Sequence, residues 1–276
     1  MIKRILVELA GTNYTPVPIK RAVTLAKAHD AEITGVTVLD PRRLRGAERL
    51  APPPREFPPE HQDRLIPMSP ACIEESIQRL EQSCQEACVK HRVLRESGDT
   101  FTKLIDAARY HDLMVFGLQS VLKFDLPGGD PHALLIRLVG AGVRPLIAVA
   151  DQFRRISRVV IAYNGSMESA KAMKHFVQMR LWPGAELKIM TFHPSESKAC
   201  ELMWAAEEYC RAHGFRVCHQ SYPGDPKVLL LAAATMWQAD MIVMGNSARS
   251  VLIRKVLGDT LLATLRDSKI PLFLAQ

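Results

Sequence analysis

"SGDTFTKLIDAARYHDLMVFG" at residues 97–117 and "PGDPKVLLLAAATMWQADMIVMG" at residues 223–245 decide the fold between them. Each stretch opens on a Gly-Asp pair and passes through a segment of helical spacing. Each then reaches an Asp, four apolar residues and a Gly. The Gly-Asp pair places a turn and a capping carboxylate ahead of a helix. The runs "LMVF" and "MIVM" do not alternate in polarity, which predicts strands covered on both faces. Gly117 and Gly245 fall where those strands must stop.

The repetition extends in both directions. Upstream, "KRILVELAGTNYTPVPIKRAVTLAKAHDAEITGVTVLD" is echoed by "SRVVIAYNGSMESAKAMKHFVQMRLWPGAELKIMTFH". Each gives an apolar run, a Gly with Thr or Ser, a helical segment, and "AEIT" or "AELK" opening another strand. Downstream, the halves close with "RPLIAVA" and "IPLFLAQ". A period of roughly 140 residues is a duplicated domain rather than a solenoid repeat. The chain therefore divides at residues 1–151 and 152–276, with the seam in "DQFRRIS".

Strands are expected at 3–9, 32–39, 92–97, 112–116 and 144–149, and again at 157–162, 185–192, 215–221, 240–244 and 271–275. Strands alternating with helices long enough for crossovers imply parallel pairing and right-handed connections. Each half is expected to be an α/β, doubly wound domain built on a five-stranded parallel sheet. One region breaks the symmetry: residues 41–70 carry eight prolines and no helical period. Proline fixes φ and removes an amide donor, so this insertion reads as a surface loop, or as a lid or partner arm. A helix is expected over 71–91, with Ile73, Ile77, Leu80, Cys84 and Cys88 at three-to-four spacing.

Composition sets the broad class. The chain has 276 residues, 47% hydrophobic and 24% charged, with a net charge of +7. Lys and Arg are scattered, which disfavours a dedicated nucleic-acid arm and predicts no nucleic-acid partner. "MIKRILVELAG" is interrupted by Glu8 and followed by no small-residue cleavage site, so no leader is expected. The longest apolar stretch, "VLLLAAATMW" at 228–237, is about half of a membrane span, so no membrane partner is expected. Six sparse cysteines do not make a disulfide scaffold, and the chain reads as cytoplasmic.

Ligands in open α/β sheets sit beyond the carboxyl ends of the strands, where strand order reverses. That directs attention to "AYNGS" at 162–166 and "GNSARS" at 245–250. Gly258 and Asp259 precede the helical pattern "TLLATLRD", whose first N–H groups are suited to holding a phosphate. Thr260 adds a hydroxyl, and Arg249, Arg254 and Lys255 add positive charge nearby. The same residues serve equally well as a strand end and a helix cap.

These features resemble the universal stress protein family, in its two-domain tandem form, over almost the whole chain apart from 41–70. The resemblance implies the adenine nucleotide alpha hydrolase-like fold and an adenine nucleotide, ATP, ADP or AMP, as ligand. The nucleotide-binding branch carries Gly, two residues, Gly, nine residues, Gly, then Ser or Thr. Here the second half reads Gly245, Ala248, Gly258, Asp259, Thr260, keeping the spacing with Ala in place of the middle Gly. The aspartate that the family places near adenine and ribose at the end of its first strand is Asn164 here, so help with Mg weakens. Ala162 lies beside it. In the first half that position is Ala10. Past Gly117 and Ser120 the spacing is lost, and Asp125 and Asp130 bring negative charge, so the first domain's site is degenerate.

The resemblance further implies an internal pseudo-dimer of the two halves, with homodimerisation as an extension. Its leading functional reading is a stress-response or regulatory module holding nucleotide in the second domain. A non-nucleotide scaffold acting through protein partners is the second reading, and slow ATP hydrolysis the third. No catalytic residue is assigned, since Asp259 serves as a cap or, less readily, as a base. Two clusters read either as buried structural groups or as metal ligands: Cys84, Cys88 and His91, expected on one helical face, and Cys210 and His213 with Cys218 and His219. No metal site is expected. Neither a P-loop, a Rossmann fingerprint nor a G-x-S-x-G elbow occurs.

Overall fold

The computed structural model describes residues 2–9, 16–39, 70–118, 138, 145–245 and 259–275. The rest of the proline-rich insertion, Ala10, Ser120, Asp125, Asp130, Ala248, Arg249, Arg254, Lys255 and Gly258 lie outside the described residues. Contacts divide the chain into two compact units, residues 3–135 and residues 136–276, the latter including Ile2.

In the first unit the elements run β1 (Arg4–Glu8), α1 (Pro16–His29), β2 (Glu32–Leu39), α2 (Pro70–Ala87), β3 (His91–Ser97), α3 (Thr100–Ala108) and β4 (Leu113–Gly117). The strands lie in the order β3-β2-β1-β4, all parallel, with Val7 level with both Gly35 and Val115. Each connection crosses over through a helix. Gly35 packs closely: a Cβ there would lie 2.8 Å from the Leu9 side chain and closer still to Leu80 of α2, so both leucines would have to shift.

The second unit holds β5 (Leu146–Val149), β6 (Arg158–Ala162), α4 (Met167–Met179), β7 (Glu186–Phe192), α5 (Glu196–Ala212), β8 (Arg216–Tyr222), α6 (Pro226–Met236), β9 (Met241–Gly245), α7 (Asp259–Asp267) and β10 (Leu272–Ala275). Its sheet order is β5-β10-β9-β6-β7-β8, with β10 to β8 parallel throughout. This is the expected five-stranded doubly wound sheet. β5, the strand expected over 144–149, also pairs antiparallel with β10, Ile147 facing Phe273. Both segments are short, wholly apolar and fully buried, and each covers one hydrogen-bonding edge of the other.

The helices begin and end for local reasons. Asp99 and Asp225, from the two Gly-Asp pairs, cap α3 and α6 by accepting the N–H of Thr102 and of Lys227, each at 2.9 Å. Ser166 caps α4 through the Ser169 N–H at 3.2 Å. The core of the second unit closes where Phe176 of α4 meets Phe273 of β10 edge to face, with centroids 5.3 Å apart.

The helix expected over 71–91 stops four residues early. Cys88 adopts φ 55°, and its neighbour Val89 donates to the Cys84 carbonyl at 2.8 Å, closing the last turn. His91 is therefore the first residue of β3, and Cys84, Cys88 and His91 do not share a helical face. Cys84 is buried, which pushes its thiol up to about 11, whereas Cys88 is exposed. Cys210 is likewise buried, its thiol pushed up to about 12. His219 on β8 donates from Nδ1 to Glu207, which also pairs with Arg211 one helical turn along α5. Among the described residues no group of three or more His, Cys, Asp or Glu side chains is arranged to hold a metal ion. Nor is any described helix long and apolar enough to cross a membrane.

Candidate functional site

In the second unit β6 and β9 are neighbours, yet the chain leaves β6 toward β7 on one side and leaves β9 toward β10 on the other. Strand order reverses there. A cleft of ≈ 100 Å³ opens at the carboxyl ends of these two strands. Ala162, Tyr163 and Asn164 reach it from the end of β6, and Met244 and Gly245 from the end of β9. Phe192 closes it from the end of β7. The first turns of three helices complete the wall: Ser166 and Ser169 at α4, Pro226 and Leu230 at α6, and Thr260 and Leu261 at α7.

Of the residues singled out by spacing, Ala162, Asn164, Gly245 and Thr260 meet in this one cleft. Asp259 stands immediately beside it as the first residue of α7, its carboxylate 2.9 Å from the Lys227 ammonium of α6. That pairing raises the pKa of Lys227, which stays charged. Tyr163 and Ser166 fall within the AYNGS stretch, whereas Ser169, Phe192, Pro226, Leu230, Met244 and Leu261 carry no motif signal. The Gly-Asp pair before Pro226 and the Ser-x-x-Ser start of α4 are the hints in the sequence, since each marks a helix beginning at a strand's carboxyl end.

Gly245 has a packing reason of its own. A Cβ at this position would lie 2.7 Å from the Ser169 amide nitrogen and closer still to the Glu168 carbonyl. The end of β9 thus lies directly against the backbone of α4's first turn, which holds Ser166 and Ser169 at the cleft.

The polar groups are arranged around that turn. Asn164 Oδ1 accepts the Ser166 N–H at 3.0 Å. Ser169 Oγ donates to the Ser166 carbonyl at 2.9 Å. Tyr163 is anchored through its backbone, donating to Met190 at 2.9 Å and accepting from the Thr191 hydroxyl at 2.8 Å. Burial raises the Tyr163 phenol above its usual value, so it remains protonated. The described lining carries no formally charged side chain; its walls are aromatic and aliphatic, with hydroxyls and one carboxamide.

The sequence profile of the universal stress protein family matches residues 1–120 and 193–276, nearly three quarters of the chain. The chain belongs to the universal stress protein family. A universal stress protein of Synechocystis sp. is 23% identical over 183 residues, covering 65% of this chain and 63% of that protein. The chain thus spans less than two thirds of this relative's length. Among solved structures, a universal stress protein from Archaeoglobus fulgidus superposes with a TM-score of 0.71 at 18% identity, covering 99% of this chain and 96% of its own. One from Pseudomonas aeruginosa gives 0.66 at 15% identity, over 99% and 93%. At these identities the likeness establishes the fold, and it does so for both halves of a universal stress protein chain.

Proposed function

We propose that this universal stress protein is a tandem, cytoplasmic stress-response module, with domains at 1–151 and 152–276, that binds an adenine nucleotide in the second domain. The observation that carries the reading is the cleft at the β6–β9 switch point, where a doubly wound sheet places its ligand. Uncharged, partly aromatic walls suit a flat heterocycle. The first turns of α4, α6 and α7 direct N–H groups toward the same end of the sheet. Asn164 contacts the base or ribose. Gly245, Ala248, Arg249, Gly258 and Thr260 serve the phosphates, as the motif spacing suggests, with ATP, ADP and AMP as candidates. The role is regulatory rather than catalytic, and the two halves pair internally as a pseudo-dimer.

Calorimetric titration of the full chain with AMP, ADP and ATP, with and without magnesium, tests this. Saturable binding that Thr260→Trp abolishes by filling the cleft is expected. No saturable binding by any of the three would overturn it.

A scaffold acting through protein partners is favoured by a different observation. The cleft's ≈ 100 Å³ is small beside ligand pockets of roughly 300 Å³ and more. Asp259 also sets a carboxylate where phosphate would lie. The same titration separates the two readings.

A further inference from the structure

We propose that His219 is a phosphoryl-acceptor site, modified on Nε2 by a small acyl phosphate. The inference is independent of the nucleotide reading: His219 lies in the middle of β8, level with Ile189 of β7, and does not line the cleft. It grows from three side chains joined through one carboxylate. Glu207 of α5, its side chain only 9% exposed, pairs with Arg211 through Oε1 and with His219 through Oε2. The two oxygens of a single group thus hold an imidazole and a guanidinium side by side.

Those partners fix the state of the imidazole. A carboxylate bound to a guanidinium is ionised and can only accept, so the proton of the His219–Glu207 bond belongs to Nδ1. In the neutral ring the free lone pair is then on Nε2. Among the described residues none donates to Nε2, and the side chain is 38% exposed. β8 is the outermost strand of its sheet, so no neighbouring strand covers that edge. A buried carboxylate orients the ring, and the opposite nitrogen stays open to solvent, which is what nucleophilic transfer to a histidine needs.

Arg211 selects the kind of electrophile. Its Nη2 is engaged by Glu207 and, at 3.4 Å, by the Val217 carbonyl of the same strand. Nε and Nη1 have no partner among the described residues, and the side chain is 63% exposed. Planar N–H donors beside a nucleophile match the oxygens of a phosphoryl group rather than a neutral electrophile. In the transfer, the Nε2 lone pair bonds to phosphorus while the P–O bond to the acyl group breaks. The carboxylate leaves with that electron pair. Nδ1 keeps its proton, the ring becomes cationic, and Glu207 is its counter-ion. Neither oxidant nor reductant is involved. An exposed strand, as opposed to an enclosed pocket, suits a small donor.

The experiment is incubation of the full chain with acetyl phosphate, the modified residue being located by tandem mass spectrometry in alkaline buffer. One acid-labile phosphoryl group is expected on His219, ahead of every other of the nine histidines. Glu207→Gln can donate to Nδ1 and so turns the ring toward its Nε2–H form. Labelling should then slow about tenfold, the scale of losing a carboxylate behind a histidine, and the nitrogen-15 shifts of His219 should report the change of tautomer. Arg211→Met, at an exposed position, should slow labelling and leave the tautomer as it is. No label on His219, labelling spread evenly over the histidines, or a rate that either folded variant leaves unchanged would overturn the inference. None of those results touches the nucleotide reading, which the titration above decides.

Discussion

Asp112 and Asp240 perform the same act in the two halves of the chain: one carboxylate oxygen accepts two successive backbone N–H groups at the start of the neighbouring strand. Oδ2 of Asp112 takes those of Lys3 and Arg4, at 2.7 and 3.0 Å. Oδ2 of Asp240 takes those of Ser157 and Arg158, both at 2.9 Å. Each Asp stands just before a strand that is buried along its length, β4 or β9, and fixes where β1 or β6 begins beside it. An ionised acceptor makes both bonds stronger than neutral ones.

Truncating either clamp strands two amides at a strand start. Asp240→Ala and Asp112→Ala are each expected to lower stability by about 1.5–3 kcal/mol, the scale of losing a charge-assisted bond to one part-buried donor beside an exposed one. Denaturant titration measures this. A loss under about 0.5 kcal/mol for both would mean that water replaces the carboxylate without cost.

Much of this architecture is legible in the amino-acid order alone. The two clamping aspartates, the two capping aspartates and the two strand-ending glycines all fall at matched places in the paired stretches 97–117 and 223–245, because one supersecondary unit is written twice. The central strands follow from continuous apolar runs, as in β4 and β9, which fit a sheet covered on both faces, whereas the outer strands β3 and β8 are polar and part-exposed. The helix end at Cys88 is not legible: a non-glycine residue at φ 55° leaves no mark in the apolar period, which includes Cys88 itself. The cleft is half legible. Gly245, Asn164 and Thr260 stand out by spacing, whereas Tyr163, Phe192 and Leu261 are ordinary core-type residues whose meeting depends on three helices starting at one place. β5 is recognisable as a strand, whereas its antiparallel pairing with β10 has no local signature and is suggested only by the pseudo-dimer that the family resemblance implies.

Gly245 is placed against backbone rather than against a movable side chain, so Gly245→Ala has nowhere to go. The added methyl would press on the Glu168 carbonyl and the Ser169 amide. An overpacking loss of about 2–3 kcal/mol is expected, with α4's first turn displaced. The falling melting temperature is the readout, by thermal denaturation of the full chain. Wild-type stability in this variant would show that β9 and α4 separate easily.

His111 predicts an acid-side weakness in the first unit. It is buried and accepts from the Thr34 hydroxyl through Nε2 at 2.8 Å, while Nδ1 donates to the Ala107 carbonyl at 2.6 Å. Thr34 in turn accepts from Arg92 Nε at 3.1 Å. Burial, reinforced by Arg4 and Arg92 and opposed by the Ala107 bond and Glu32, lowers its pKa below the usual 6.5. Above that value the ring is neutral whether the chain is folded or not. As pH falls below about 6.5 the unfolded chain takes up a proton that the folded one refuses, so stability declines until the folded value is passed. His111→Gln should flatten stability between about pH 6.5 and 5. An equally steep decline in that variant would assign the acid sensitivity to other groups.

The pair of Lys227 and Asp259 makes the phosphate question experimental. Their sequence neighbours Pro226 and Thr260 line the cleft, and the ion pair joins the first turns of α6 and α7 at 2.9 Å. The Asp259 carboxylate sits where a helix start favours an anion, so an incoming phosphate must compete with it for those N–H groups and for Lys227. Both side chains are substantially exposed, so the pair contributes little to folding. Asp259→Asn removes the competitor and leaves the cation. AMP should then bind roughly three- to tenfold more tightly, with adenosine unchanged, and the gain should shrink as salt is added. Equal gains for AMP and adenosine would mean that the substitution reshapes the cleft rather than its charge, and no gain for either would place the phosphate away from α7.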